Sequence, residues 1–125
     1  MGEQEQERER VVTQVLAAWA RDIRAHDPEA VARSFTEDAL FQGFDPAHGI
    51  GRPGIAAYYD KQPVGLDPRF EIRDHRTLAD GVVIAYVDVD FVRPEGVVIP
   101  VHLTVVLVRD GAEWRIAHYH VSKIG

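Results

Sequence analysis

Cysteine is absent from the 125 residues. That excludes thiol catalysis, disulfide frameworks and cysteine-based zinc or iron–sulfur sites. An excess of positive charge is missing too. Fourteen Lys and Arg face 20 Asp and Glu, a formal net charge of −6, which argues against the clustered basic face of a nucleic-acid binder. No apolar run approaches the ~20 residues of a membrane span. The N-terminal MGEQEQERER lacks the apolar segment of a signal peptide, so the expected location is cytoplasmic. What remains has the 46% hydrophobic content of an ordinary soluble protein. Its length suits one domain over 1–125, with the charged residues 1–10 as an N-terminus prone to fray.

Periodicity then gives the elements. From Glu3 to about Ala25 there is no Gly or Pro, and Val12, Val15, Leu16, Trp19 and Ile23 recur three or four apart. That spacing predicts one amphipathic helix. Asp27 is a good N-cap and Pro28 a good first residue for a short second helix reaching about Ser34. Residues 39–44 read as a short strand, and Gly54 to Lys61 as a third helix. From Arg69 the period becomes two, predicting strands Arg69–Ala79, Val82–Arg93, Val97–Arg109 and Ala112–Lys123. Asp80-Gly81 and Asp110-Gly111 are strong hairpin signals, and Pro94-Glu95-Gly96 makes the middle turn. The class is α+β: one curved antiparallel sheet with helices on its concave face.

Two-residue turns and strict alternation set an expected register. One face then carries Phe70, Ile72, Leu78, Val83, Ala85, Val87, Val89, Phe91, Val101, Leu103, Val105, Leu107, Trp114 and Ile116, together with four polar residues, Asp74, Arg76, His118 and His120. The other, wet face carries Glu71, Arg73, His75, Tyr86, Asp88, Asp90, His102, Thr104, Arg115 and Tyr119. A single bulge would exchange the faces beyond it.

The element order, the helix-ending Asp27 and the closing Trp114-Arg115-Ile116-Ala117-His118-Tyr119-His120-Val121-Ser122 resemble the nuclear transport factor 2-like superfamily, with its SnoaL-like, cystatin-like cone fold. Within it the closing stretch looks most like the SgcJ/EcaC-type branch. The resemblance implies a cone whose mouth leaves a pocket for a small hydrophobic or polyketide-like ligand. It also implies a homodimer through the open sheet face, and a place in or beside a bacterial natural-product pathway of polyketide or enediyne type. Because relatives include isomerases, cyclases, dehydratases and pure binding proteins, two functions stand side by side. One is a small-molecule binder that runs cofactor-free isomerisation, cyclisation or dehydration. The other is a non-catalytic dimeric binding or interaction module with a filled cone.

His118 and His120 sit at alternate positions of one strand, and two imidazoles in an apolar cone can polarise a carbonyl or pass a proton near neutral pH. They and Asp27 are the catalytic candidates, weighed against core histidines and a plain helix cap. Some dehydratases of the superfamily carry a catalytic Asp where Asp27 stands, paired with a His at the start of the third strand. Here that region reads Leu66-Asp67-Pro68-Arg69-Phe70, without a histidine. The expected pocket lining is Trp19, Phe41, Phe44, Tyr58, Tyr59, Asp74, Arg76, Val89, Val101 and Leu103. A charge among those apolar groups needs a partner or solvent. His-x-His on a strand can chelate a metal, but zinc sites use three or four protein ligands, so no metal and no cofactor is expected.

Overall fold

The computed structural model describes residues 2–43 and 49–124. Its order is α1 (Gly2–Arg24), α2 (Pro28–Arg33), β1 (Phe35–Gln42), β2 (Gly49–Ile50), α3 (Gly51–Asp60), β3 (Asp67–Ala79), β4 (Val82–Val92), β5 (Val98–Asp110) and β6 (Glu113–Lys123). The strands form one sheet in the order β2-β1-β6-β5-β4-β3. The β3–β6 meander is antiparallel, and β1 lies parallel to β6. This is the expected α+β sheet, curved and unclosed, with three helices on one side. Phe44, expected in the pocket lining, lies outside the described residues.

Local chemistry explains the helical layer. Glu3 and Glu5 stand at the positive end of α1, and Arg21 and Arg24 at its negative end. His26 takes φ 50°, a left-handed conformation that breaks the chain direction between α1 and α2. Asp27 then caps α2 by accepting a 3.2 Å hydrogen bond from the Ala30 amide. α3 starts at Gly51, whose φ of 78° suits glycine. A Cβ there would stand 2.8 Å from the Glu37 carbonyl oxygen. Arg52 Nε reaches the Phe35 carbonyl at 3.0 Å and fastens α3 to β1.

The middle turn and the β4–β5 register are as the three-residue turn predicts, with Val89 opposite Val101 and Val87 opposite Leu103. Elsewhere bulges intervene. In β3 the pairing shifts between Thr77 and Ala79 and again between Ile72 and Asp74. Ile72 therefore faces Val87 rather than Val89, and between the two shifts the faces are exchanged. In β6 the turn falls on Gly111-Ala112, and the pairing then shifts between Ile116 and His118, leaving Ala117 as the extra residue. Tyr119 therefore lies opposite Val105, and Val121 opposite Leu103.

These shifts correct the expected faces. Asp74 pairs with Tyr86, and Arg76 with Ile84, on the outer side away from the helices. His118 and His120 face outward beside Val106 and Thr104. His75 turns inward opposite the buried Ala85, and Tyr119 is buried. Leu78, expected in the core, is exposed at a bulge. The physical reason is shared. Inner-face charges would need partners that the apolar core lacks, and a bulge removes that cost by one residue of slip.

Candidate functional site

The cone is filled by aromatic rings. Trp19 from α1 and Phe35 from β1 are fully enclosed, with Phe41, Tyr59, Phe91 and Tyr119 almost so. Phe41 stacks on Tyr119 with centroids 4.6 Å apart and an interplanar angle of 13°. Tyr58 meets Phe41 edge to face at 4.8 Å, and Trp19 meets Phe91 the same way at 6.0 Å. Such pairs add about 0.5–1.5 kcal/mol each beyond the area they bury. Val89, Val101 and Leu103, expected to line a pocket, are core residues against this cluster.

Within the cluster one polar network is buried. Trp19 Nε1 donates to the Tyr59 hydroxyl at 3.1 Å, and the Tyr119 hydroxyl is buried close enough to that of Tyr59 to interact with it. Burial pushes both phenols well above the usual tyrosine range, so they remain neutral. Sequence reading placed Tyr119 on the wet face and missed this network. A signal was present: Ile116 and Val121 both belong in the core yet stand five apart, which strict alternation forbids.

The space beside this network is small. A cavity of about 10 Å³ is bordered by Tyr58, Tyr59, Gln62, Leu66, Phe91, Tyr119 and Val121. It is room for one water at most. Tyr58 and Gln62 are half-buried and form its outer wall. A Cβ on Gly43 would approach the Tyr58 ring to 2.6 Å, so glycine there lets the ring close over the opening.

The structure scatters the expected catalytic residues. Asp27, the α2 cap, borders an open groove of about 740 Å³ between α1, α2 and the β5–β6 turn, with Arg21, Arg33 and Trp114. That groove shares no lining residue with the cavity in the cone. Trp114 lies under Arg109, whose guanidinium is 5.7 Å from the ring centroid. Asp74 and Arg76 pair with each other on the outer face, where the Arg76 guanidinium holds the Asp74 carboxyl below its usual value. The inward His75 accepts a 2.6 Å hydrogen bond from Arg8 Nε, which ties the first turns of α1 to β3.

The outer face is polar around an apolar centre. Asp88 accepts from Arg73 Nε at 2.6 Å and faces His102 Nδ1 at 2.9 Å. Arg73 and then His102 hold the Asp88 carboxyl below the usual carboxylate range. Ile84, Tyr86, Thr104 and Val106 occupy the middle of the face. Ile50, at 62% exposure and paired with Leu40, Tyr86, at 60%, and Leu40, at 51%, are its most open apolar groups. Among the described residues, no three His, Asp or Glu side chains converge as a metal site.

The SnoaL-like domain family matches residues 12–124. The chain belongs to that family. Solved structures with the same fold include a cystatin-like protein of unknown function from Nostoc punctiforme, 18% identical with a TM-score of 0.82 over 94% of this chain and 77% of that one. A ketosteroid isomerase-like protein from Erwinia carotovora atroseptica is 22% identical, with a TM-score of 0.74 over 92% and 95%. Aln2 from a Streptomyces species is 21% identical, with a TM-score of 0.72 over 94% and 90%. No curated protein matches the sequence. At these identities the SnoaL-like chain shares a fold with its neighbours, and its chemistry rests on its own residues.

Proposed function

We propose that this SnoaL-like chain is a small-molecule-binding protein that recognises a planar, hydrogen-bond-accepting ligand without turning it over. The observation that carries this reading is the buried Trp19–Tyr59–Tyr119 network behind the half-buried Tyr58 and Gln62. Neutral phenols donate well to a carbonyl or phenolate oxygen, and the surrounding rings offer faces for a polycyclic body. The cavity of about 10 Å³ admits such a ligand only when Tyr58 and Gln62 swing outward. Proton abstraction would need a base, and among the described residues no carboxylate or imidazole borders the cavity. Recognition is therefore supported and turnover is not. The resemblance to the SgcJ/EcaC-type branch adds a polyketide-like ligand class, a natural-product pathway and a cytoplasmic setting to the proposal.

A Trp114→Phe background leaves Trp19 as the only tryptophan for a fluorescence titration with tricyclic and tetracyclic phenolic ketones. The expected result is saturable quenching, weakened about tenfold, or ~1.4 kcal/mol, by Tyr59→Phe. Absence of saturable quenching in both this protein and its Tyr58→Ala variant would overturn the ligand reading.

The small cavity also favours a second reading, in which the cone is only a core and the outer face is the working surface. Leu40, Ile84, Tyr86 and Val106 then form the centre of a homodimer contact. Carboxylates on β3 and β4 and imidazoles on β5 and β6 give a self-complementary rim, as a two-fold interface requires. Native mass spectrometry at micromolar concentration should find a dimer that Tyr86→Glu dissociates. A wild-type monomer would exclude it.

A further inference from the structure

The outer face holds two imidazoles without a hydrogen-bond or ion partner among the described residues. Bulging at Ala117 turns His118 and His120 out together, on alternate positions of β6. Their ring centroids are 6.2 Å apart and their planes are nearly perpendicular, at 86°. Neither ring has a hydrogen-bond or ion partner among the described residues, which sets them apart from His75 on Arg8 and His102 on Asp88.

Their surroundings suit a cation. Across β6 the paired positions are Leu40 and Gln42 on β1 and Val106 and Thr104 on β5. No Lys or Arg stands in either row until Arg76 on β3, and Asp74 holds that guanidinium. Arg115, earlier on β6, is engaged by Asp110 and Glu113. Among the described residues of these two rows, an incoming dication therefore meets no unpaired Lys or Arg beside the rings.

Geometry permits chelation. Residues two apart on a strand are separated by roughly 6.6–6.8 Å, and an imidazole nitrogen binds a first-row metal at about 2.0–2.1 Å. Both nitrogens can reach one ion when the rings tilt toward each other. His118 is half-buried and His120 exposed, so that tilt is unobstructed on the solvent side.

We propose that His118 and His120 form a two-imidazole chelate for a first-row divalent metal ion on the outer sheet face. Imidazole selects zinc, nickel and copper over magnesium and calcium. With two protein ligands, water or a donor from an approaching molecule completes the coordination. The site lies on the opposite side of the sheet from the cone, so it stands independently of the small-molecule reading.

The test uses full-length protein without a polyhistidine tag, titrated with Ni²⁺ and separately with Mg²⁺ by calorimetry at neutral pH. The expected result is one Ni²⁺ per chain and no Mg²⁺. His118→Asn and His120→Asn should each weaken Ni²⁺ binding at least tenfold, and together should abolish it, with the circular dichroism spectrum unchanged. His26→Asn, at the end of α1, serves as the control and should leave the affinity unaltered. Equal Ni²⁺ binding by the wild type and the double variant would overturn the proposal, as would absence of Ni²⁺ binding by the wild type.

Discussion

The two faces of the sheet come from the same strands, but they obey different rules. On the inner face nearly every side chain from Val83 to Val121 is apolar and enclosed, and the few polar atoms, on Trp19, Tyr59 and Tyr119, gather together, with Trp19 donating to Tyr59. On the outer face the polar groups pair across strands in solvent, as Arg73, Asp88 and His102 do. The inner face fixes the fold, and a change there is felt as a cavity or a lost buried bond. The outer face tolerates substitution, so a group left unpaired on it carries information about binding.

That contrast makes graded predictions. Trp19→Ala should cost the most, about 3–5 kcal/mol in urea unfolding, as for other large core aromatics cut to alanine. A loss below about 1 kcal/mol would mean the cone is loosely filled. Tyr59→Phe keeps the ring and removes the hydroxyl that accepts from Trp19 Nε1. It should cost about 1–3 kcal/mol, because the buried Trp19 N–H is left without its acceptor. Asp27→Ala removes only the cap on Ala30 and should cost about 1 kcal/mol, with ligand titrations unchanged. If ligand affinity collapsed instead, Asp27 would belong to the binding site.

The smallest effect belongs to the outer carboxylates. Arg73 and His102 hold the Asp88 carboxyl below the usual carboxylate range in the folded protein, so its contribution to stability is present above the unfolded value of about 4. It is lost as pH falls further, through the folded value. Unfolding should therefore separate wild type from Asp88→Asn by more at pH 6 than at pH 3. A difference that grew on acidification would reverse the sign.

Much of this molecule is legible in its sequence. The period change near Arg69, the Pro94-Glu95-Gly96 turn and the cap at Asp27 produced the element order and the β4–β5 register. The faces of β3 and β6 were not legible by alternation alone, because a bulge leaves no residue signature of its own. It reveals itself through conflict, when alternation would bury Asp74, Arg76, His118 and His120 while leaving Tyr119 wet. Nor could spacing show that the cone is filled, since Trp19, Phe41 and Tyr59 suit a core and a ligand pocket equally well. Closure depends on how Tyr58 meets Gly43 and on where Tyr119 points.

The central claim is that the slip at Ala117 sends Tyr119 into the core and His118 and His120 out of it. Urea unfolding of Tyr119→Ala beside the double His118→Ala and His120→Ala variant tests it most directly. The account predicts a loss of about 3–5 kcal/mol for the tyrosine and about 0.5 kcal/mol or less for each outward-facing histidine. The reverse order, with the histidines costly and the tyrosine dispensable, would contradict it.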